Sequence, residues 1–364
     1  MREGWTYKKL GEVITPAKVI KNRLGEDLPI LSITMHEGIV SQKDRFKKVI
    51  ASVDTSEYKI VKNGQLVIAF PIDEGLLYTQ DLVEEGIMSP AYNIWDVDYN
   101  CINRSFLVRY LHCPFAFSYY KSKLRGTTMR RRNIPREDLL NMPLPLPPKS
   151  QQEAIVSELD EINSLLALKR EQLQKYDKLA QSLFYEMFGD PVENEKGWEV
   201  KNLGDACSMK AGKAIKATEL SESNAYPCYG GNGIRGYINK ISHTESAPII
   251  GRQGAYCGTV NFAAAPFYAT EHAVVVRPLQ EMDIYWLYYT LINLKLSRFA
   301  KGQAQPGISV GNLSEEVYLP LPPLPLQQQF ASRIEQIESQ KHKVQAAIEK
   351  LETLLASRMQ YWFE

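Results

Sequence analysis

The sequence predicts an α+β protein made of two mixed α/β globules. Two long antiparallel coiled-coil helices join them, and the whole is an internal repeat with pseudo-two-fold symmetry. Two self-similarities and one periodicity carry this expectation. The block LPLPP occurs at 144–148 and again at 319–323, each time with a glutamine cluster close behind it. A shift of 175 positions lays PLPPKSQQEAIVSELDEI (145–162) over PLPPLPLQQQFASRIEQI (320–337) without a gap. A weaker repeat opens each half, GWTYKKLGEV (4–13) over GWEVKNLGDA (197–206). After both proline blocks the apolar residues then alternate by four and three, which is a heptad seam.

Length and composition agree with this division. A chain of 364 residues with 44% hydrophobic and 23% charged residues exceeds one ordinary core and has the balance of a globular protein. No stretch approaches the roughly 18–20 apolar residues of a membrane span, and MREGWTYKKLGEV lacks the apolar centre of a signal peptide, so a cytoplasmic protein without a membrane is expected. Cys101, Cys113, Cys207, Cys228 and Cys257 form no CxxC pair and have no histidine at ligand spacing, which predicts reduced, mostly buried thiols and no metal site.

In chain order, residues 1–143 form the first globule. Its runs such as QLVIAF (65–70) read as short strands and PFAFSYYKSKL (114–124) as an aromatic helix. Residues 144–189 are a proline lead-in and the first spacer helix, expected over 152–187. Proline cannot continue a helix and restricts its predecessor, so LPLPP reads as a stiff extended segment that fixes where the helix starts. The seam runs through Ile155, Leu159, Ile162, Leu166, Leu173, Tyr176 and Leu183, continuing at Ala180 and Met187, with Lys169 as its polar exception. Residues 190–318 form the second globule, with APIIGRQG (247–254) and HAVVVRPL (272–279) as strands and an aromatic helix in DIYWLYYTLINLKLSRFA (283–300). Residues 319–364 repeat the lead-in and spacer helix, expected over 327–363. Its seam is Phe330, Ile334, Ile337, Val344, Ile348, Leu351 and Leu355, reaching Trp362, with Lys341 and Arg358 as exceptions. Neither stripe is stable exposed to water, so each is expected to bury the other, returning Glu364 toward Met1.

No catalytic constellation is assembled. GNGIRG (231–236) fits a GxGxxG pattern, but the next segment, YINKISHTES, is too short and polar for a phosphate-binding helix, so a glycine-rich turn between strands is expected. The histidines stand singly, and Asp73–Glu74 and Glu84–Glu85 read as loop acids. Charge is more informative. Residues 101–149 hold ten basic and two acidic residues, concentrated in KSKLRGTTMRRRNIPRED (121–138). Lys121, Lys123, Arg125, Arg130, Arg131, Arg132 and Arg136, with the hydroxyls of Thr127 and Thr128, read as a polyanion-binding stretch. In the second half Arg298, Lys301, Gln303 and Gln305 (297–312) are fewer but include the side chains that pair with purine edges.

In these features the chain resembles the specificity (S) subunits of type I restriction-modification systems. The resemblance rests on the two PLPP-to-glutamine-to-heptad segments, the GW…LG openings, and YGGNGIRGY with IIGRQGAYCGTV (229–237 and 249–260). It covers nearly the whole chain and adds Arg235, Arg252 and Gln253 to the candidate DNA-binding residues. It implies that each globule reads one half of a split site in double-stranded DNA, and that the helices also dock two methylation subunits. It implies no catalysis in this chain: S-adenosylmethionine would be held by the methylation partners, and ATP with Mg by the restriction (translocase/nuclease) subunits. Ser150-Gln151-Gln152 and Leu326-Gln327-Gln328 depart from the family's usual acid-glutamine after the prolines. Two other classes remain open from residues alone: a coiled-coil protein scaffold indifferent to DNA, and a nucleotide-dependent enzyme built on GNGIRG.

Overall fold

Prolines at every second or third position leave a strand few N–H groups, so such a strand belongs in a two-stranded ribbon rather than inside a sheet. Both proline blocks adopt this solution in the computed structural model, which describes residues 4–23, 27–35, 37–45, 54–125, 134–302 and 306–364. Pro143–Leu146 pairs antiparallel with Thr6–Lys9, Tyr7 opposite Pro145. Tyr318–Leu321 pairs with Glu199–Asn202, Val200 opposite Pro320. The lead-in is thus not only a stop before the helix, as expected from the prolines; its first residues are a strand of the globule. The repeat persists atom by atom beyond the ribbons. The Leu10 N–H donates to Met142 O and the Leu203 N–H to Val317 O, both at 2.8 Å. The next residue is glycine in each case because a Cβ there would lie 2.9 Å from Leu140 Cβ at Gly11 and 2.7 Å from Ser314 Cβ at Gly204. The LG of each opening therefore seats the short helix, Arg136–Leu140 or Val310–Glu316, that precedes the proline strand.

The chain divides into two compact units, Met1–Leu168 with Ile348–Glu364, and Lys169–Ala347. Each contains a four-stranded antiparallel sheet of the same connectivity. In the first the order is Ile14–Pro16, Asn93–Val97, Leu66–Ile68, Leu77–Thr79. In the second it is Cys207–Ala211, Ala273–Pro278, Ala247–Gly251, Val260–Ala263. The first unit adds two hairpin-like pairs, Leu31–Thr34 with Gly38–Ser41 and Lys59–Lys62 with Glu85–Met88. The second adds a three-stranded sheet in which Tyr226–Gly230 lies between Gly233–Ile238 and Tyr268–Ala269. GNGIRG is the turn and second strand of that hairpin.

The long helices run over Lys149–Phe188 and Leu324–Phe363, 40 residues each, three residues earlier at the start than the heptads predict. A buried glutamine fixes each start. Gln152 Nε2 donates to Pro147 O (2.9 Å) and Cys101 O (3.0 Å), and its Oε1 accepts from the Asn103 N–H (2.7 Å). Gln327 Nε2 donates to Pro322 O (2.8 Å) and its Oε1 accepts from the Asp283 N–H (3.0 Å). Asn103 and Asp283 are themselves the N-caps of the helices Arg104–Leu111 and Ile284–Asn293. One amide therefore ties the proline turn to the cap of a core helix. The aromatic helix expected over 283–300 ends at Asn293, Lys295 turning left-handed (φ +52°) before a short 3-10 turn Leu296–Phe299; its counterpart is Arg104–Leu111, while Pro114–Lys123 is an additional helix of the first unit.

Of the seam residues, Ile155, Leu159, Ile162, Leu166, Phe330, Ile334, Ile337, Val344 and Ile348 are buried, and Leu173, Tyr176, Leu183, Leu351 and Leu355 are half-buried. Near each C-terminal end the buried position moves one residue on, to Phe184, Phe188 and Phe363, leaving Leu183, Met187 and Trp362 at the margin. An α-helix drifts about 20° per heptad against a strict 3.5 repeat, so a seam extrapolated over five heptads slips by such a step. In the first unit Ile155, Leu159 and Phe363 share one core. Glu158 there accepts from Arg358 Nη2 (3.0 Å), Arg358 Nε and Trp362 Nε1 (2.9 Å), and Trp5 stacks on Trp362 with centroids 6.4 Å apart. In the second unit Phe330 packs edge-on against Phe184 (5.7 Å) and Phe188 (5.3 Å), and Trp198 Nε1 donates to Phe188 O (3.0 Å). Lys341 meets Asp177 and Glu338, both at 2.9 Å. Of the polar exceptions in the stripe, Lys341 and Arg358 are thus satisfied by ion pairs and Lys169 Nζ donates to Gln172 Oε1 (3.1 Å), and the tryptophan of each GW opening meets the end of a long helix. All five cysteines are unpaired and four are buried, burial pushing the Cys113 thiol up to about 11.

Candidate nucleic-acid interface

In the first unit the helix Pro114–Lys123 carries Lys121 and Lys123 in its last turn, where cations complement the helix dipole. Lys121 is exposed. Lys123 and Arg125 lie 3.8 and 3.5 Å from the two oxygens of Asp138, and Lys123 also sits over the Tyr119 ring. The relief of charge expected from a polyanion is therefore partly supplied within the globule, by an acid thirteen residues downstream of Arg125. Arg136 lies 5.3 Å over the Trp95 ring. Thr127, Thr128, Arg130, Arg131 and Arg132 lie outside the described residues.

In the second unit the candidates come together on one edge. Gly251 ends a central strand, and a Cβ on it would lie 2.0 Å from Gly231 O and 2.9 Å from Tyr256 O. Only glycine permits this approach, and it brings the hairpin of GNGIRG against the loop of IIGRQGAYCG. Gln253 bridges to Gly307, which also pairs with Lys301 (N–H to O 2.9 Å both ways). The Gly254 N–H donates to Pro306 O (2.9 Å) and the Ile308 N–H to Arg252 O (2.9 Å). Thus Arg252, Gln253 and Lys301 share one edge, and the backbone on either side of Gln303 and Gln305 is anchored to it, although those two glutamines lie outside the described residues. Arg235, Gln253 and Lys301 are exposed. The stem of Arg235 lies over Gly230, where a Cβ would meet its Cδ at 2.5 Å. Arg298 follows Ser297, on whose backbone Gly258 closes to 2.3 Å measured from an added Cβ, and its guanidinium stands 4.7 Å over the Phe299 ring. Lys301 also holds Glu316 at 2.6 Å. Beside this edge Glu271 meets His272 Nε2 (3.2 Å).

The residue-by-residue reading missed Ile234, second residue of the strand Gly233–Ile238, and Tyr256, in the turn Gly254–Tyr256, large apolar side chains 51% and 55% exposed. Their signal was available: each lies between closely spaced glycines, Gly233 and Gly236 or Gly254 and Gly258, in a segment without an alternating apolar run that would bury it. It also missed the roles of Gln152 and Gln327, since a cluster of glutamines on a helix reads as surface.

A duplicated frame of sheet, capped helix, proline ribbon and glutamine-locked spacer, with polar and basic loops on one edge, is that of a two-module recognition protein. A model of the type I restriction modification DNA specificity domain matches the chain twice, over residues 2–176 and 195–353, and the chain belongs to that family. It is 45% identical over 130 residues to the specificity subunit of the type I restriction enzyme EcoprrI from Escherichia coli, a stretch taking in 35% of this chain and 31% of that subunit. It is 22% identical over 389 aligned positions to the MjaIX specificity subunit of Methanocaldococcus jannaschii, covering 91% of this chain and 86% of that one. The fold is similar to the S subunit from M. genitalium, with a TM-score of 0.62, 15% identity and coverage of 99% and 96%. It is likewise similar to a chain of another solved type I R-M system, with a TM-score of 0.61, 18% identity and coverage of 100% and 98%. Specificity subunits are the non-catalytic recognition components of such systems, serving DNA sequence specificity in assemblies with the other R-M subunits. No helix among the described residues is long and apolar enough to cross a membrane.

Proposed function

We propose that this chain gives a type I restriction-modification complex its sequence specificity by reading a bipartite site in double-stranded DNA. Residues 1–143 and 190–318 are then target-recognition domains, one per half-site. The segments 144–189 and 319–364 set the spacing and dock two methylation subunits, to which the restriction (translocase/nuclease) subunits add. The observation carrying the reading is the duplication itself: two four-stranded sheets of one connectivity, two ribbons in one register and two glutamine locks, matching the specificity-domain model once in each half. Two similar modules in one chain can each bind one of two separable stretches of a duplex.

The test is a titration of the full chain, with its methylation subunits, against a randomised duplex pool at two salt concentrations. Selection of two short conserved blocks separated by an unselected gap is the expected result. Replacing Arg130, Arg131 and Arg132 together by alanine is expected to weaken binding of every sequence alike. It should also flatten the salt slope by about one unit for each phosphate no longer neutralised. Binding that is indifferent to sequence and salt would favour a protein scaffold.

A further inference from the structure

Three loops of the second unit converge at Gly251: the hairpin tip before Arg235, the loop Arg252–Gly258 and the segment around Gly307. The groups they present outward are unusual for loops. Arg235, Gln253 and Lys301 supply charge and an amide, while Ile234 and Tyr256, roughly half exposed, stand among them. An exposed apolar side chain gains nothing from water, and the converging segments that carry these two also carry Arg235, Arg252 and Gln253, which suits a surface whose occupant is both anionic and partly apolar. Duplex DNA read in its major groove is such an occupant. Phosphates line the rim, purine edges accept from arginine or pair with glutamine, and the thymine C5-methyl is the one apolar group on the groove floor.

We propose that these converging loops are the groove-entering surface of the second globule, with Ile234 and Tyr256 contacting thymine methyl groups while Arg235 and Gln253 take polar base edges. The inference rests on the DNA-reading function proposed above and adds to it a chemical content: the half-site read by this globule contains thymine at positions set by Ile234 and Tyr256. The backbone supports a rigid presentation. Gly254 (φ +77°) and Gly258 (φ +85°) bracket the Tyr256 turn in left-handed conformations, and the Gly254 and Gly258 N–H groups are held by Pro306 O and Gly251 O at 2.9 and 2.8 Å.

The experiment uses the full chain with its methylation subunits on the duplex selected by the pool titration. Each thymine of that site is replaced in turn by deoxyuridine, which lacks only the methyl. Loss of one buried methyl is worth about four-fold in affinity. For the unaltered chain, deoxyuridine is expected to weaken binding by about that factor at one or two positions of one half-site. Ile234→Ala and Tyr256→Ala are each expected to weaken binding to the thymine duplex and to abolish the further effect of deoxyuridine at one of those positions, leaving the other half-site and the salt slope unchanged. Ile234→Val is a milder second variant that reads the same coupling should the alanine change perturb the hairpin. If the chain selects a split site but deoxyuridine is neutral throughout it, or weakens the variants as much as the parent, the thymine assignment is overturned and DNA reading stands. If the pool yields no sequence preference, both fall. If the variants keep full DNA selectivity but lose a methylation subunit, the loops are a protein-docking surface and the assignment is equally overturned.

Discussion

Replacing Gln152 by leucine keeps the volume of a fully buried side chain and removes three hydrogen bonds, to Pro147 O, Cys101 O and the Asn103 N–H. Net contributions of such bonds are modest, but each buried group left without a partner costs roughly 1–3 kcal/mol, so the change is expected to destabilise the first unit by about 2–4 kcal/mol. Gln327 makes one bond to Pro322 O and one to the Asp283 N–H, so the same change there is expected to cost less, about 1–3 kcal/mol, in the second unit. A single melting temperature would mix two units, so the readout is amide hydrogen exchange resolved by peptide. In Gln152→Leu, exchange across residues 103–111 should accelerate by about 30-fold or more, since 1.4 kcal/mol is a factor of ten, while residues 283–293 stay near the parent rate. Gln327→Leu should reverse the pattern. Gln328→Leu, at an exposed neighbour in the same cluster, should change neither. Unchanged protection at 103–111 in Gln152→Leu would show that the helix start is fixed by the prolines alone and that the amide lock is incidental.

The repeated frame sets up paired perturbations. Gly11→Ala and Gly204→Ala each push a Cβ to within 3 Å of a packed neighbour and should destabilise their own unit by about 1–3 kcal/mol in the same exchange experiment. The side-chain hydrogen bond from Arg358 holds the Glu158 carboxyl below its usual range. Its contribution is therefore complete above the unfolded carboxylate value and lost as pH falls through the folded one, so Glu158→Gln should weaken protection of the first unit at pH 7 by about 1 kcal/mol at most and flatten its decline in acid. Inserting one heptad after Leu166 and one after Lys341 adds about 10 Å to each helix, and on the proposed function the unselected gap of the DNA site should lengthen by roughly three base pairs.

The parts of the fold that the residues announce are those whose signals are local. Prolines, heptads and a fixed offset between halves place both spacer helices to within three residues, because a helix start depends on neighbours a turn away. The ribbon was hidden for the opposite reason. Leu146 pairs with Thr6, and no property of LPLPP names a partner at the other end of the globule. The same non-locality concealed the fate of the basic stretch. Lys123 and Arg125 read as unopposed because Asp138 is distant in sequence, yet the short helix Arg136–Leu140 brings its carboxylate between them. On the second globule the candidates Arg252, Gln253 and Lys301 were found as residue types, and only the Gly251–Gly231 approach and the Gln253–Gly307–Lys301 bridges make them one surface.

The frame and the loops diverge in a way that bears on what the two halves recognise. After the equivalent central strands, Leu66–Ile68 and Ala247–Gly251, the chain continues as AFPIDEG in one unit and RQGAYCG in the other. The first begins with Ala69 and Phe70 where the second has Arg252 and Gln253, and then places Asp73 and Glu74 where the second has Tyr256 and Cys257. The acidic turn is also tethered, with Gly75 O 2.9 Å from His112 Nε2 and the Tyr78 ring 4.5 Å from that imidazole. Carboxylates repel phosphates and accept only from amino groups of cytosine or adenine, whereas arginine and glutamine favour guanine and adenine. Under the proposed function, the two globules must then approach DNA with unlike surfaces on a like scaffold, and the two halves of the site must differ in sequence. Exchanging residues 69–75 for 252–258 should change the first half-site toward the bases selected by the second while leaving the second intact. A pool that returns the original first block from that chimaera would place base reading in the first globule elsewhere than this turn.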